Sequence, residues 1–176
     1  MVVVPTGSFS VGSPESEDER SENEGPRHEV VAAYQDVLTL TGDPAGGRAV
    51  FEHNCARCHQ LGGLGHAVGP DLKTVAQAGP EQVLVNVLDP NREVNPQYID
   101  YLIDTTDWAT YSGIITSETA TSLTLRRAGG AEDTILRQNI ETIRTTKLSI
   151  MPEGWEQSLS RGNLADLIAF ITASSE

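Results

Sequence analysis

The sequence predicts an α+β fold: a mainly α-helical domain with an inserted small antiparallel β-meander at about residues 98–143. Apolar residues recur at helical spacing on both sides of the middle of the chain: Ala49, Val50 and Phe51, then Val83, Leu84, Val87 and Leu88, and finally Leu164, Leu167, Ile168 and Ile171. Between the last two groups the pattern changes to short runs rich in β-branched, aromatic and leucine residues, which is the grammar of strands. Helix-start residues stand before each helical run, as Asp43-Pro44, Gly79-Pro80 and Ser160.

Residues 1–33 read as an acidic, flexible tail or remnant, and 34–176 as the domain. Up to Val30, Glu15, Glu17, Asp18, Glu19, Glu22, Glu24 and Glu29 face only Arg20 and Arg27. So apolar-poor a stretch buries too little surface to offset chain entropy. The first long helix starts at Asp43 and runs into Cys55-Ala56-Arg57-Cys58-His59. That run has the C-x-x-C-H spacing of covalent haem attachment: thiols at i and i+3 on one turn can each form a thioether to a vinyl group, with the adjoining imidazole beneath the iron.

The same five residues admit other chemistry. A C-x-x-C pair can be a redox dithiol, a disulfide or half of a zinc site. With Cys55 and Cys58 the only cysteines, a four-cysteine zinc site is impossible, and a mixed site needs two of His28, His53 and His66. The glycine-rich stretch after His59 does not supply the βαβ context of a thioredoxin-like motif. One motif and no other thiol lead to the expectation of one covalent haem c per chain.

After His59 the chain is polar and glycine-rich through Gly62-Gly63-Leu64-Gly65 to Val68-Gly69-Pro70-Asp71-Leu72, a loop that can lie close against a porphyrin edge. A short helix from Gly79-Pro80 closes at Asp89-Pro90-Asn91. The expected strands are Tyr98–Ile103, Tyr111–Ile115, Ser122–Leu125 and Thr134–Leu136, and such a sheet needs a packing partner in the helices. Beyond it come Ser149-Ile150-Met151-Pro152-Glu153-Gly154 and a last helix capped by Ser160.

The formal net charge is −13. That excludes nucleic acid as the expected partner and favours a protein with a basic docking patch, although a negative surface also serves solubility alone. No apolar run reaches the length of a membrane span. Haem attachment by this motif places the chain outside the cytoplasm, in a periplasm or equivalent. Met1-Val2-Val3-Val4-Pro5 lacks the features of a secretion signal, so either a signal has been removed or the chain is a segment of a longer one.

Two resemblances add to this reading. Val2-Val3-Val4-Pro5-x-Gly7-x-Phe9, Gly12-Ser13, Glu19-Arg20 and Glu24-x-Pro26-x-His28-x-Val30 look like the opening of a formylglycine-generating-enzyme (sulfatase-modifying factor) domain. The catalytic cysteines of that family have no counterpart here, which leaves a remnant or fusion boundary. From Gly42 to Phe170 the chain resembles the haem-binding cytochrome c domains typical of planctomycete and verrucomicrobial proteins. The matching residues are Gly42-Asp43-x-x-x-Gly47-Arg48-x-Val50-Phe51, the C-x-x-C-H run, Val68-Gly69-Pro70-Asp71-Leu72, Leu88-Asp89-Pro90-Asn91-Arg92, Ser149 to Gly154, and Asp166-Leu167-Ile168-Ala169-Phe170. One departure is Asp107-Trp108, where the family has Asp-Gly. A wider turn is expected there, with Trp108 first as a core plug and otherwise as an exposed contact.

The resemblance implies a cytochrome c core with the strand-rich segment inserted before the methionine segment. Met151 is then the expected distal ligand opposite His59, since Met1 lies in the tail; water, His53 or His66 are the alternatives. Similarity to cytochromes c also implies that the Pro70 carbonyl accepts the His59 Nδ1 hydrogen, and that Leu72, Phe51 and Phe170 wall the porphyrin. Arg57 is expected to point to solvent. The expected function is single-electron transfer without enzymatic activity, with electrons received from a redox partner or a fused dehydrogenase domain. The competing function is a haem enzyme or sensor for peroxide or gas, with an open distal site assisted by His66 or His53.

Overall fold

The computed structural model describes residues 27–174. Residues 1–26, with most of the acidic stretch and of the formylglycine-generating-enzyme resemblance, lie outside the described residues. Six α-helices form a frame: α1 (His28–Ala33), α2 (Pro44–Asn54), α3 (Leu72–Ala76), α4 (Pro80–Leu88), α5 (Trp155–Ser158) and α6 (Arg161–Ala173). The Asp43 side chain caps α2 by accepting the Ala45 N–H at 3.0 Å and the Gly46 N–H at 3.2 Å. Ser160 and Asn163 close a capping box at the start of α6.

The frame is built around the crossing of α2 and α6. A Cβ on Gly47 would stand 1.9 Å from the Asp166 carbonyl oxygen, and one on Gly42 2.2 Å from that of Ala165. Only glycine permits so close a backbone approach. The Asp166 carboxylate fixes the geometry by accepting the Asp43 N–H at 2.7 Å. Phe51 and Phe170 fill the rest of the crossing, with ring centroids 5.6 Å apart at an interplanar angle of 48°. Leu84, Leu88, Leu164, Leu167 and Ile171 complete the buried core beside them.

The domain begins earlier than residue 34. Val31 of α1 is buried in the helical core. Arg27 Nε donates to the Leu88 carbonyl at 2.7 Å. Two valines in an acidic run are too few to register as an apolar period, and it is the packing of Val31 into the core that supports the helix. The short helices α3 and α5 likewise carry too little period to show in the sequence.

A hairpin, β1 (Gln60–Leu61) with β2 (Leu64–Gly65), follows His59. The insert then forms a five-stranded antiparallel sheet of β3 (Ile99–Thr105), β4 (Thr110–Glu118), β5 (Ser122–Arg126), β6 (Glu132–Leu136) and β7 (Ile140–Ser149), in the order β6-β5-β4-β3-β7. The first four strands follow the expected meander. β7 departs from it, crossing back to the free edge of β3 and carrying the insert to Ser149 rather than 143, so the chain is richer in strand than a mainly α description allows. Nearly all of its side chains are exposed or half-exposed, so it shows no alternation, and pairing with β3 is what defines it.

Trp108 is not a core plug: it is 93% exposed. The turn is not widened either. The Trp108 N–H donates to the Thr105 carbonyl at 3.0 Å and the Thr105 N–H to the Ala109 carbonyl at 2.9 Å, a tight turn closed by a bulge. Trp108 takes φ 68, the left-handed conformation that suits glycine at this position, and this aims its side chain at solvent.

Candidate functional site

The cysteine motif sits where α2 ends. The Cys55 and Ala56 N–H groups both donate to the Phe51 carbonyl, at 2.8 and 2.9 Å, and the Cys58 and His59 N–H groups donate to the Cys55 carbonyl at 3.0 and 2.9 Å. The chain thus winds one further turn and then folds back, with Val68 and Gly69 N–H groups donating to the Cys58 carbonyl at 2.9 and 2.7 Å. Gly69 lies directly on the His59 ring; a Cβ there would stand 2.5 Å from Cε1.

His59 is buried, and its Nδ1 lies 2.9 Å from the Pro70 carbonyl oxygen. A carbonyl only accepts, so Nδ1 carries the hydrogen and Nε2 keeps a free lone pair. Burial lowers the pKa of the ring, against the opposing pull of the Pro70 bond, and keeps the imidazole neutral as a ligand must be. Burial, assisted by the neighbouring Cys58, pushes the Cys55 thiol up to about 12. Cys58 is also raised by burial, which Arg57 partly opposes. Such thiols are the reverse of the low-pKa thiolates of redox dithiols.

Cys55, Cys58 and His59 open onto a cavity of about 1010 Å³. Pro70 and Leu72 line it on the loop side, Asp89 and Pro90 at the end of α4, and Met151 and Trp155 on the segment before α5. Trp155 buries its indole N–H without an acceptor. Asp89 is 2% exposed, with neither carboxylate oxygen hydrogen-bonded to a side chain. Its pKa is raised by burial first and by Glu153 second, against Arg92 and Arg27. An apolar cavity of this size with an unmet donor in its wall fits a flat macrocycle bearing carboxylate arms, held by the paired thiols and a neutral imidazole.

The structure brings Cys55, Cys58, His59, Pro70, Leu72 and Met151 to one cavity. It does not bring Phe51, whose ring is taken up in the α2–α6 crossing with Phe170; both are core residues rather than cavity wall. His53 and His66 are exposed and do not line the cavity. Arg57 is exposed at its rim, and its carbonyl accepts the Gly129 N–H from the β5–β6 turn at 2.6 Å. Sequence reasoning missed Trp155, Tyr98 and Ala128 as lining residues. The position of Trp155 just after Met151-Pro152 was a usable signal, whereas nothing marks Ala128, which arrives only because the sheet docks its turn on Arg57.

A profile of the cytochrome c family matches residues 44–99, from the first residue of α2 to the first of β3. A cytochrome c-553-like protein of Synechocystis sp. is 35% identical over 75 residues, covering 39% of this chain and 70% of that protein. This chain belongs to the cytochrome c family. Its cofactor is haem c, bound covalently through Cys55 and Cys58.

Proposed function

We propose that the chain is a single-electron carrier with one haem, in which His59 and Met151 are the axial ligands. The observation that carries this is the shared cavity: a neutral imidazole with Nε2 free and the Met151 side chain line it, and both alternative histidines lie outside. When bound, the haem supplies a reversible one-electron iron couple. Cys55 and Cys58 anchor it, and the Pro70 carbonyl holds the His59 ring in one orientation. The Met151 thioether is a soft donor that favours the ferrous state. Leu72 and the apolar wall beside it keep water out. A peroxide-using enzyme would draw on a distal base beside the iron, and His53 and His66, the candidates for that role, do not line the cavity.

The net charge of −13 suits a redox partner with a basic patch, or a fused dehydrogenase domain that delivers electrons. No described helix is long and apolar enough to cross a membrane. Cytochrome c-type domains are typically extracytoplasmic, and that location carries over to this chain. The test is Met151→Ala: haem stays attached, the reduction potential falls and the ferrous protein binds carbon monoxide. A variant with the wild-type spectrum and potential rejects Met151 as the ligand.

A further inference from the structure

Met151 stands in a segment without regular structure, between the end of β7 at Ser149 and the start of α5 at Trp155. Its own backbone bonds are few. The Ile150 N–H donates to the Tyr98 carbonyl at 2.9 Å, and the Met151 N–H to Ser149 Oγ at 3.1 Å. Gly154 closes the segment in the left-handed conformation, at φ 88. Nothing within these six residues holds Met151 against the cavity.

Besides the Tyr98 carbonyl on Ile150, two side chains from elsewhere do so. Asn91, in the turn after α4, accepts the Ser149 N–H on Oδ1 at 2.8 Å and donates from Nδ2 to Glu153 Oε1. One amide therefore pins both ends of Ser149-Ile150-Met151-Pro152-Glu153. From the other side comes Arg27, whose Nη2 donates to Glu156 while Nε holds the Leu88 carbonyl at 2.7 Å. Arg27 Nη1 also lies 3.7 Å from Glu153 Oε2. The Arg27 and Glu156 side chains are only 16% and 13% exposed, so this pair is sheltered from the screening that makes surface pairs worth little.

We infer that Asn91 and Arg27 are positioning residues, a two-point clamp that holds the Met151 segment against the end of α4 and thereby fixes the sulfur in the cavity. The role in ligation rests on the His59/Met151 reading proposed above. Both clamp residues tie the segment to the same short stretch, Leu88 to Asn91, so the methionine wall and the α4 wall of the cavity move as one. Without the clamp only the Ile150–Tyr98 bond ties the segment, the stretch from Met151 to Gly154 can swing, and local opening of this kind would expose the iron without unfolding the frame.

The experiment compares the wild-type holoprotein with Asn91→Ala, Arg27→Ala and Arg27→Lys. Three quantities are read: the weak red-end absorption band of ferric His/Met haem, the rate of carbon monoxide binding to the ferrous protein, and amide hydrogen exchange over residues 149–156. Both alanine variants should retain haem, weaken the band, bind carbon monoxide about tenfold faster and exchange faster in that segment while α2 and α6 stay protected. Arg27→Lys, which keeps a cation for Glu156, should fall between. Folded alanine variants with unchanged exchange and carbon monoxide binding overturn the clamp. If Asn91→Ala does not fold, Asn91→Asp serves instead, since it keeps an acceptor for Ser149 and sets a second carboxylate against Glu153. A wild type without the methionine band but with clamp-dependent exchange rejects the ligand assignment while upholding the clamp.

Discussion

The helical frame and the inserted sheet are stabilised by different means. The frame draws its core from helices far apart in sequence, and its central contact is backbone against backbone, Gly47 on Asp166 and Gly42 on Ala165. The sheet has a local core of Ile103, Leu123, Leu125 and Ile135, and its strands are laced by exposed ion pairs such as Arg126–Glu132 and Arg144–Asp104. Such pairs are screened by solvent and contribute little. The sheet meets the haem motif mainly through one turn, where Gly129 bonds the Arg57 carbonyl and Arg126 bonds that of Ala67 at 3.0 Å. Tight non-local packing holds the cofactor site, and the insert beside it has a separate core of its own.

The comparison breaks most readily at the helix crossing. Gly47→Val should destabilise the holoprotein by ~3 kcal/mol or more, at the upper end of overpacking costs, because the obstruction is backbone that no rotamer change relieves. Denaturant unfolding measures it, and a wild-type midpoint would show that the two helices can separate at no cost. Next in size is Leu125→Ala in the sheet, expected to lose ~2–5 kcal/mol by leaving a cavity in the small core. Its haem spectrum at neutral pH should match wild type; an altered spectrum would mean that sheet and frame do not act separately.

Trp108→Gly sharpens the contrast in the other direction. Removing a side chain from the left-handed conformation should stabilise the sheet by ~1 kcal/mol, read as a raised Tm. A lowered Tm would show that the indole contributes packing despite its exposure. The smallest effect concerns Asp104. Bonds from the Thr142 hydroxyl, then from Arg144 and Thr110, hold its carboxyl down to about 2 from an ordinary 3.8. A depressed folded-state value stabilises above the ordinary value and is lost as pH falls through about 2. Acid should therefore loosen β3 against β7 between pH 4 and 2, and less so in Asp104→Asn, as amide exchange in these strands would reveal. Equal acid sensitivity in the two proteins would remove Asp104 from this role.

Much of both regions was legible because its signals are local. Asp43 and Ser160 mark helix starts through side-chain bonds to N–H groups at most three positions away, Pro80 does so through its fixed φ at the first helical position, and the thioether spacing of Cys55 and Cys58 is a property of a single helical turn. Met151, which lines the cavity, could be singled out as a candidate because the cysteine motif, the Ile-Met-Pro wording and the family pattern converge on it. What failed was non-local: Phe51 was taken for cavity wall, Trp108 for core, and Val31 for tail.

The sequence by itself determined the covalent cofactor, the main helices and four of the strands, since each depends on residues within a few positions of one another. The tertiary structure alone decided which apolar side chains face the cavity, where β7 pairs, that Arg27 belongs to the domain, and that Asn91 reaches both ends of the methionine segment. Those outcomes depend on which surfaces meet, and contact between distant segments leaves no period or spacing in the chain.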